Sequence, residues 1–172
     1  MEYWNDGHVM ETIDKIVTLE DLVTRLGRVR KSGQKIVFTN GCFDILHVGH
    51  ARYLAEARSQ GDMLIVGLNS DGSMRTIKGD KRPIVRQDHR AEVLASLGCV
   101  DYVVIFEEPD PLRLIRTLKP DVLVKGEDWA ADAIIGAGDV KSRGGKIVRI
   151  SFVEETSTTA IIQTILQRHQ GD

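Results

Sequence analysis

Short apolar runs punctuate the chain at residues 35–38 (KIVF), 63–68 (MLIVGL), 102–106 (YVVIF), 121–124 (DVLV) and 146–150 (KIVRI). Most are rich in β-branched residues and nearly continuous in apolar character, the pattern of strands buried on both faces. Between them, apolar positions recur at helical spacing over residues 48–59, 88–97, 111–118 and 158–167. Pro111 suits a first helical turn, and Gly61 and Gly98 follow their helices as C-cap residues do. Thr18, with Asp21 three positions on, caps a leading helix over residues 18–31. The alternation predicts an α/β fold: a Rossmann-like, doubly wound parallel sheet of five strands with helices on both faces. Ligands of such sheets gather at the carboxyl ends of the strands, so the residues directly after each run are where chemistry is sought.

No internal repeat or low-complexity linker interrupts the pattern, and 172 residues suit one compact unit. We divide it into an amino-terminal extension with the leading helix (1–34) and the sheet-forming domain (35–172). Apolar residues make up 42% and charged residues 28%, an ordinary globular balance. The net charge of −2 provides no global field to hold a nucleic-acid backbone, so a polyanionic ligand must be met by a local cluster of cations. Cys42 and Cys99 make neither a disulfide scaffold nor a metal spacing, which points to a reducing compartment. The first residues, MEYWNDGHVMETIDK, lack the apolar segment of a signal peptide, and no run approaches the roughly 20 apolar residues that span a bilayer. A cytoplasmic protein without membrane or nucleic-acid partners is expected.

The most informative stretch follows the first run: Thr39-Asn40-Gly41-Cys42-Phe43-Asp44-Ile45-Leu46-His47-Val48-Gly49-His50, leading directly into a helix. Two histidines three apart lie on one face of a first helical turn. That turn also offers unpaired N–H groups and the positive end of the helix dipole. Gly41 and Gly49 remove side chains where a ligand could approach the backbone. The combination makes a phosphate site with two added donors, although packing or capping histidines remain the plainer alternative. A zinc site would need more ligands than the pair supplies. Cys42 has no base beside it and reads as a small buried group. Asp44 either holds substrate hydroxyls or bonds the backbone of its own turn.

TNGCFDILHVGH resembles the GxFDxxHxGH motif of the cytidylyltransferase-like nucleotidyltransferases. Its Asn-Gly-Cys version is similar to that of the adenylyltransferases that form ADP-heptose from D-glycero-β-D-manno-heptose 1-phosphate, an activity often fused to a sugar kinase and here expected to stand alone. The resemblance runs from about Lys15 to Arg168. It implies transfer of AMP from ATP, accompanied by Mg²⁺, to a sugar 1-phosphate with release of pyrophosphate.

Three later segments extend it. Asn69-Ser70-Asp71 leads to Thr76-Ile77-Lys78-Gly79-Asp80-Lys81-Arg82-Pro83, with Arg86 and Arg90 beyond, the densest positive stretch of the chain and by its Gly and Pro a loop. A solvated charged loop is the alternative. The resemblance gives phosphate contacts to Lys78 and Arg90, and only weakly to Lys81 and Arg82. After the fourth run, Lys125-Gly126-Glu127-Asp128-Trp129 places a cation and a turn at a strand end; related heptose enzymes carry a second glycine where Glu127 stands. Trp129 either stacks on the ligand or packs in the core. Ser157-Thr158-Thr159 opens the last helix as an N-cap and anion site at once, and resembles the family's second motif.

The resemblance thus implies catalytic parts for His47, His50, Lys78 and Arg90. Nucleotide or phosphate contacts fall to Thr39, Asn40, Gly41, Cys42, Phe43, Gly49, Lys125, Gly126, Ser157, Thr158 and Thr159. Sugar-phosphate contacts fall to Asp44, Asn69, Asp71 and Trp129. A sugar phosphate is already an anionic nucleophile, so the reaction asks for positioning and charge compensation rather than a strong base. Rival readings are a cytidylyltransferase acting on glycerol 3-phosphate with CTP, and a nucleotide-binding regulator without turnover. A class I aminoacyl-tRNA synthetase, which shares the His-Gly-His motif, is excluded by chain length, the missing Lys-Met-Ser-Lys-Ser loop and the absence of a basic surface. Tyr3, Trp4 and the leading helix either contact a second copy or cap the core.

Overall fold

The computed structural model describes residues 12–127, 130, 133–151 and 157–169; Tyr3, Trp4 and Trp129 lie outside them. Helix α1 (Leu19–Lys31) opens on Thr18, whose hydroxyl accepts the Asp21 amide at 3.1 Å. There follow β1 (Ile36–Gly41), α2 (Val48–Arg58), β2 (Met63–Asn69), α3 (Asp71–Lys78), α4 (Gln87–Ser96) and β3 (Tyr102–Phe106). The chain continues through α5 (Leu112–Leu118), β4 (Val122–Gly126), α6 (Ala137–Ser142), β5 (Lys146–Ile150) and α7 (Thr158–His169). All strands are parallel, in the order β3-β2-β1-β4-β5, which is the expected Rossmann-like α/β sheet.

Side-chain alternation along the strands builds two cores. Ile36, Phe38, Ile65, Val104, Phe106 and Leu123 point to one face and pack with Leu19, Leu22 and Leu26 of α1 and with α5 and α6. Val37, Leu64, Val66, Val103, Val122 and Val124 point to the other, against Tyr53, Leu54 and Ala57 of α2 and Ala91, Leu94 and Ala95 of α4. Each fully buried aliphatic side chain of this kind contributes roughly 1.5–3 kcal/mol, so slipping one strand by one residue is prohibitive. At the amino-terminal rim, aspartates just ahead of three strands catch amides of neighbouring strand starts. Asp62 accepts Lys35 N–H at 2.7 Å, Asp101 accepts Leu64 N–H at 2.7 Å, and Asp121 accepts Ile36 N–H at 2.8 Å. These bonds satisfy donors that the parallel ladder leaves over.

Two elements depart from expectation. Residues 71–78, read as part of a loop, form α3. Ser70 caps it by accepting the Ser73 amide at 3.1 Å, Met74 is its buried apolar anchor, and Gly79 ends it at φ 86°. Residues 137–142 form the short α6, which Gly136 introduces at φ 81°. A Cβ on Gly136 would lie 2.7 Å from Ile115 Cδ1, so the turn requires glycine twice over. The loop between α3 and α4 carries a cis Arg82–Pro83 bond.

The opening that matters lies beside β1. Its ladder with β4 covers only Val37↔Val122 and Phe38↔Leu123, whereas its ladder with β2 runs to Gly41↔Leu68. Beyond Phe38, β1 and β4 therefore part. Because the order reverses at this strand pair, the crevice falls at the topological switch point.

Candidate active site

The switch-point crevice widens into a cleft of about 410 Å³ at the carboxyl ends of the strands. From the β1–α2 connection it is lined by Asn40, Gly41, Cys42, Phe43, Asp44, His50 and Tyr53; from β2 and the segment after it by Asn69, Ile77, Lys78 and Arg82. Pro109, Asp110 and Pro111 follow β3, Lys125, Gly126 and Ile135 follow β4, and Thr158 and Thr159 start α7. Four strand ends and the start of a helix thus converge on one hollow.

His47 is the N-cap residue of α2 in an extended conformation, which turns the chain so that both imidazoles fall on the opening turn of the helix. Their rings stack with centroids 3.9 Å apart, and Phe43 meets the His50 ring edge-on at 5.2 Å. Phe43 adopts φ 43°, a conformation that costs a non-glycine residue energy and is tolerated where surroundings enforce it. Its ring explains Gly41, where a Cβ would approach Phe43 Cε2 to 3.1 Å. Nδ1 of each histidine is buried without a hydrogen-bond partner. Burial lowers the His50 pKa to about 4, helped by His47 and partly offset by the Ile45 carbonyl; burial lowers that of His47 as well. Both rings are neutral at physiological pH.

Around this pair stand the cations. Lys78 ends α3 at the cleft, and Lys125, at the end of β4, donates to Asn40 Oδ1. The Thr158 hydroxyl donates to the Ile45 carbonyl at 3.4 Å, tying the start of α7 to the turn before the histidines. Ser157 caps α7 by accepting the Ala160 amide at 3.1 Å and lies just outside the cleft lining. Cys42 stands in the cleft with its thiol pKa pushed up by burial, against the pull of Lys78, Arg90 and Arg82, so it stays protonated.

Several residues assigned from sequence are engaged by the frame, some of them while also lining the cleft. The Arg90 guanidinium is fully buried and donates to the Val85 carbonyl at 2.9 Å, to the Cys42 carbonyl, and to Asp71 Oδ1 at 2.8 Å. It joins the β1–α2 turn, the start of α3 and the segment before α4, and does not line the cleft; Asp71, its partner, does not either. Asp44 is 4% exposed: Oδ1 accepts the Ile84 and Val85 amides at 2.8 and 2.9 Å, and Oδ2 pairs with Arg82. Of the two readings open for Asp44, this is the backbone-holding one, directed at a loop 40 residues away rather than at its own turn. Thr39 is wholly buried with its hydroxyl 2.7 Å from that of Tyr53, and Gly49 is buried within α2. Asn69 reaches the cleft while donating to Ser73 Oγ at 2.9 Å.

Tyr53, Ile77, Pro109, Asp110, Pro111 and Ile135 line the cleft without having been assigned from sequence. Tyr53 follows His50 by one helical turn, a spacing that marks it. The segment after β3 occupies the strand-end position that the parallel-sheet rule singles out.

The model of the family described as cytidylyltransferase-like matches residues 38–164, which is most of the chain and includes both histidines and the start of α7. The chain belongs to the cytidylyltransferase-like family. It is a nucleotidyltransferase by that membership. A bifunctional protein HldE from Citrifermentans bemidjiense is 49% identical over 95% of this chain and 34% of its own length. One from Pseudomonas aeruginosa is 52% identical over 89% of this chain and 32% of its own. The chain therefore spans about a third of the length of these curated relatives. Among solved structures, a lipopolysaccharide core biosynthesis protein from Thermoplasma volcanium superposes with TM-score 0.60 at 32% identity, covering 71% of this chain and all of that one. A pantoate–β-alanine ligase from Francisella tularensis shares the fold, with TM-score 0.60 at 19% identity over 91% of this chain and 79% of its own. Among the described residues no helix is long and apolar enough to cross a membrane.

Proposed function

We propose that this nucleotidyltransferase transfers AMP from ATP to a sugar 1-phosphate, D-glycero-β-D-manno-heptose 1-phosphate, giving ADP-heptose and pyrophosphate for lipopolysaccharide or surface-glycan synthesis in the cytoplasm. The observation that carries the reading is His50, stacked on His47 at the open first turn of α2 and sharing one cleft with Lys78, Lys125 and the start of α7; His47 stands behind it, outside the cleft lining. The similarity to HldE proteins and to the lipopolysaccharide core biosynthesis protein supports the sugar.

The chemistry follows from charge. A phosphate oxygen of the sugar 1-phosphate attacks the α-phosphorus of ATP; the bond from that phosphorus to the bridging oxygen breaks, and the electron pair leaves with pyrophosphate. Two polyanions must meet, and more negative charge gathers on the leaving oxygens, so preorganised donors and cations carry the catalysis. His47 and His50, both neutral, each carry one N–H that can serve the α-phosphoryl oxygens and the leaving group. Lys78 compensates the β and γ phosphates. The amides and hydroxyls at Thr158 and Thr159 hold the triphosphate from the opposite side. Lys125, held by Asn40, is a point charge for either phosphate. Mg²⁺ enters as part of the substrate, bound to the triphosphate oxygens. Arg90 and Asp44 act through the backbone they hold and are positioning residues here.

Pyrophosphate release measured with each nucleoside triphosphate against a panel of sugar 1-phosphates and glycerol 3-phosphate tests the reading. Release with ATP and the heptose phosphate is expected. Turnover with CTP and glycerol 3-phosphate alone would replace it with a cytidylyltransferase, and tight ATP binding without any pyrophosphate release would replace it with a regulator.

A further inference from the structure

A cleft that must gather two polyanions is a poor place for a carboxylate, because each acid adds repulsion to the charge being neutralised. The acids among its described lining residues are Asp44 and Asp110. Asp44 is accounted for: it is buried, with both oxygens engaged by Arg82 and the amides of Ile84 and Val85. Asp110 is not. Its Oδ1 accepts the Leu112 amide at 2.9 Å, while Oδ2 has no protein partner among the described residues.

The turn that carries Asp110 is held from several sides. Pro109 and Pro111 flank it and fix its backbone. The Ser73 hydroxyl donates to the Glu108 carbonyl at 2.7 Å, and the Ser70 hydroxyl to Glu107 Oε2 at 2.6 Å, fastening the turn to α3. The Leu112 bond then fixes the carboxylate itself. A charged acceptor is thus presented at the β3 end of the cleft, across the sheet from Lys125 and Gly126 at the β4 end. An immobilised carboxylate with a free oxygen suits an uncharged donor, and a carboxylate accepting from a hydroxyl makes a short, charge-assisted bond. The hydroxyl-rich component of the proposed reaction is the sugar.

We infer that Asp110 is a specificity-determining residue of this enzyme, whose free Oδ2 accepts a hydroxyl of the sugar 1-phosphate and so assigns the β3 end of the cleft to the sugar ring. The inference rests on the reading given under the proposed function and adds to it a side of the cleft and a residue. It also selects against acceptors without a hydroxyl at that point, because a carboxylate desolvated by such a substrate would be left unpaired.

The alternative is that Asp110 merely caps α5. Asp110→Ser separates the two, since serine satisfies a helix-start amide about as well as aspartate but is one atom shorter and uncharged. Initial rates of pyrophosphate release are measured for the wild type and Asp110→Ser with ATP and the sugar 1-phosphate varied in turn, and thermal midpoints are recorded alongside. The KM for the sugar 1-phosphate is expected to rise by roughly 10-fold or more, as when a charge-assisted hydrogen bond is lost, with the KM for ATP and the midpoint unchanged. Sugar 1-phosphates with single hydroxyls removed supply a second readout: the analogue lacking the Asp110-bound hydroxyl should lose affinity with the wild type and suffer little further from the substitution. An unchanged sugar KM in Asp110→Ser, or an equal rise in both KM values, overturns the assignment while leaving the proposed reaction standing. No turnover by the wild type with any sugar 1-phosphate overturns both.

Discussion

At the scale of single residues, the cleft is defined by which side chains have their hydrogen bonds filled from within. Arg90 and Asp44 have theirs filled, whereas the histidine Nδ1 atoms and Asp110 Oδ2 do not. Leaving a buried polar atom unpaired costs about 1–3 kcal/mol, and such a cost is tolerated where a ligand relieves it. His50→Ala should therefore cut turnover by ~100-fold or more, the effect of losing one preorganised oxyanion donor, with circular dichroism and melting behaviour kept. Wild-type turnover in that variant would remove His50 from the mechanism. The same residue predicts a pH dependence. Its folded-state pKa, about 4, lies below the ordinary 6.5, so protons favour the unfolded chain. Its contribution to stability is complete above pH 6.5 and drains away as the pH falls toward 4. Thermal midpoints measured across that window should decline less steeply in His50→Gln than in the wild type.

At the scale of elements, the cleft depends on ties between segments that have no ladder in common. Arg90, projecting from α4, binds the Cys42 carbonyl after β1, Asp71 at the start of α3, and the Val85 carbonyl. Replacing it by methionine leaves a carboxylate and two carbonyls without their partner. Urea unfolding of Arg90→Met should show a loss of roughly 3–5 kcal/mol, the usual outcome of removing one member of a buried ion pair. Arg86→Met is the control: the Arg86–Asp88 pair is 75% and 52% exposed and should register near zero. Equal effects of the two substitutions would show that Arg90 bears no such load. The elements themselves were unevenly legible. Strands β3 and β5 and helix α2 stand where periodicity put them, because long apolar runs and helical spacing leave little choice. Helix α3 was hidden: DGSMRTIK offers only Met74 and Ile77 as apolar markers and contains Gly72, although Ser70 and Gly79 bound it as caps do. Helix α6 has only six residues and Val140 as its larger buried apolar side chain.

At the scale of the molecule, the net charge of −2 and the cations of the cleft are reconciled by geometry. The sheet gathers Lys78, Arg82, Lys125 and two neutral histidines at one rim, with helix starts behind them. A triphosphate engaging that rim couples β1, α3, β4 and α7, and so stabilises the folded state as a whole. Saturation with MgATP at about 100 times its dissociation constant should stabilise the protein by ~2.7 kcal/mol, a rise in melting temperature of roughly 5–10 °C. Thermal melts with and without MgATP check this, and Lys78→Ala should reduce the rise; coincident melts at millimolar MgATP would defeat the triphosphate reading.

The sequence by itself determined the class of fold and the family, because both rest on local information. Near-continuous apolar runs make buried strands whatever their neighbours, and the order of residues from Thr39 to His50 carries its own turn, glycines and helix start. It also marked His47, His50, Lys125, Thr158 and Thr159, which follow directly from strand ends or helix starts, and Lys78 through the family resemblance. Only the tertiary structure decided the division of labour among the charged residues. A guanidinium at Arg90 can neutralise a phosphate or clamp a carbonyl, and composition cannot tell which. Its surroundings, supplied by Cys42 48 positions away and Asp71 19 positions away, make that choice. The same holds for Asp44, taken up by the Arg82–Val85 loop, and for Asp110, left with one oxygen free. Charge is written in the chain, but burial and pairing are properties of what the fold brings alongside it.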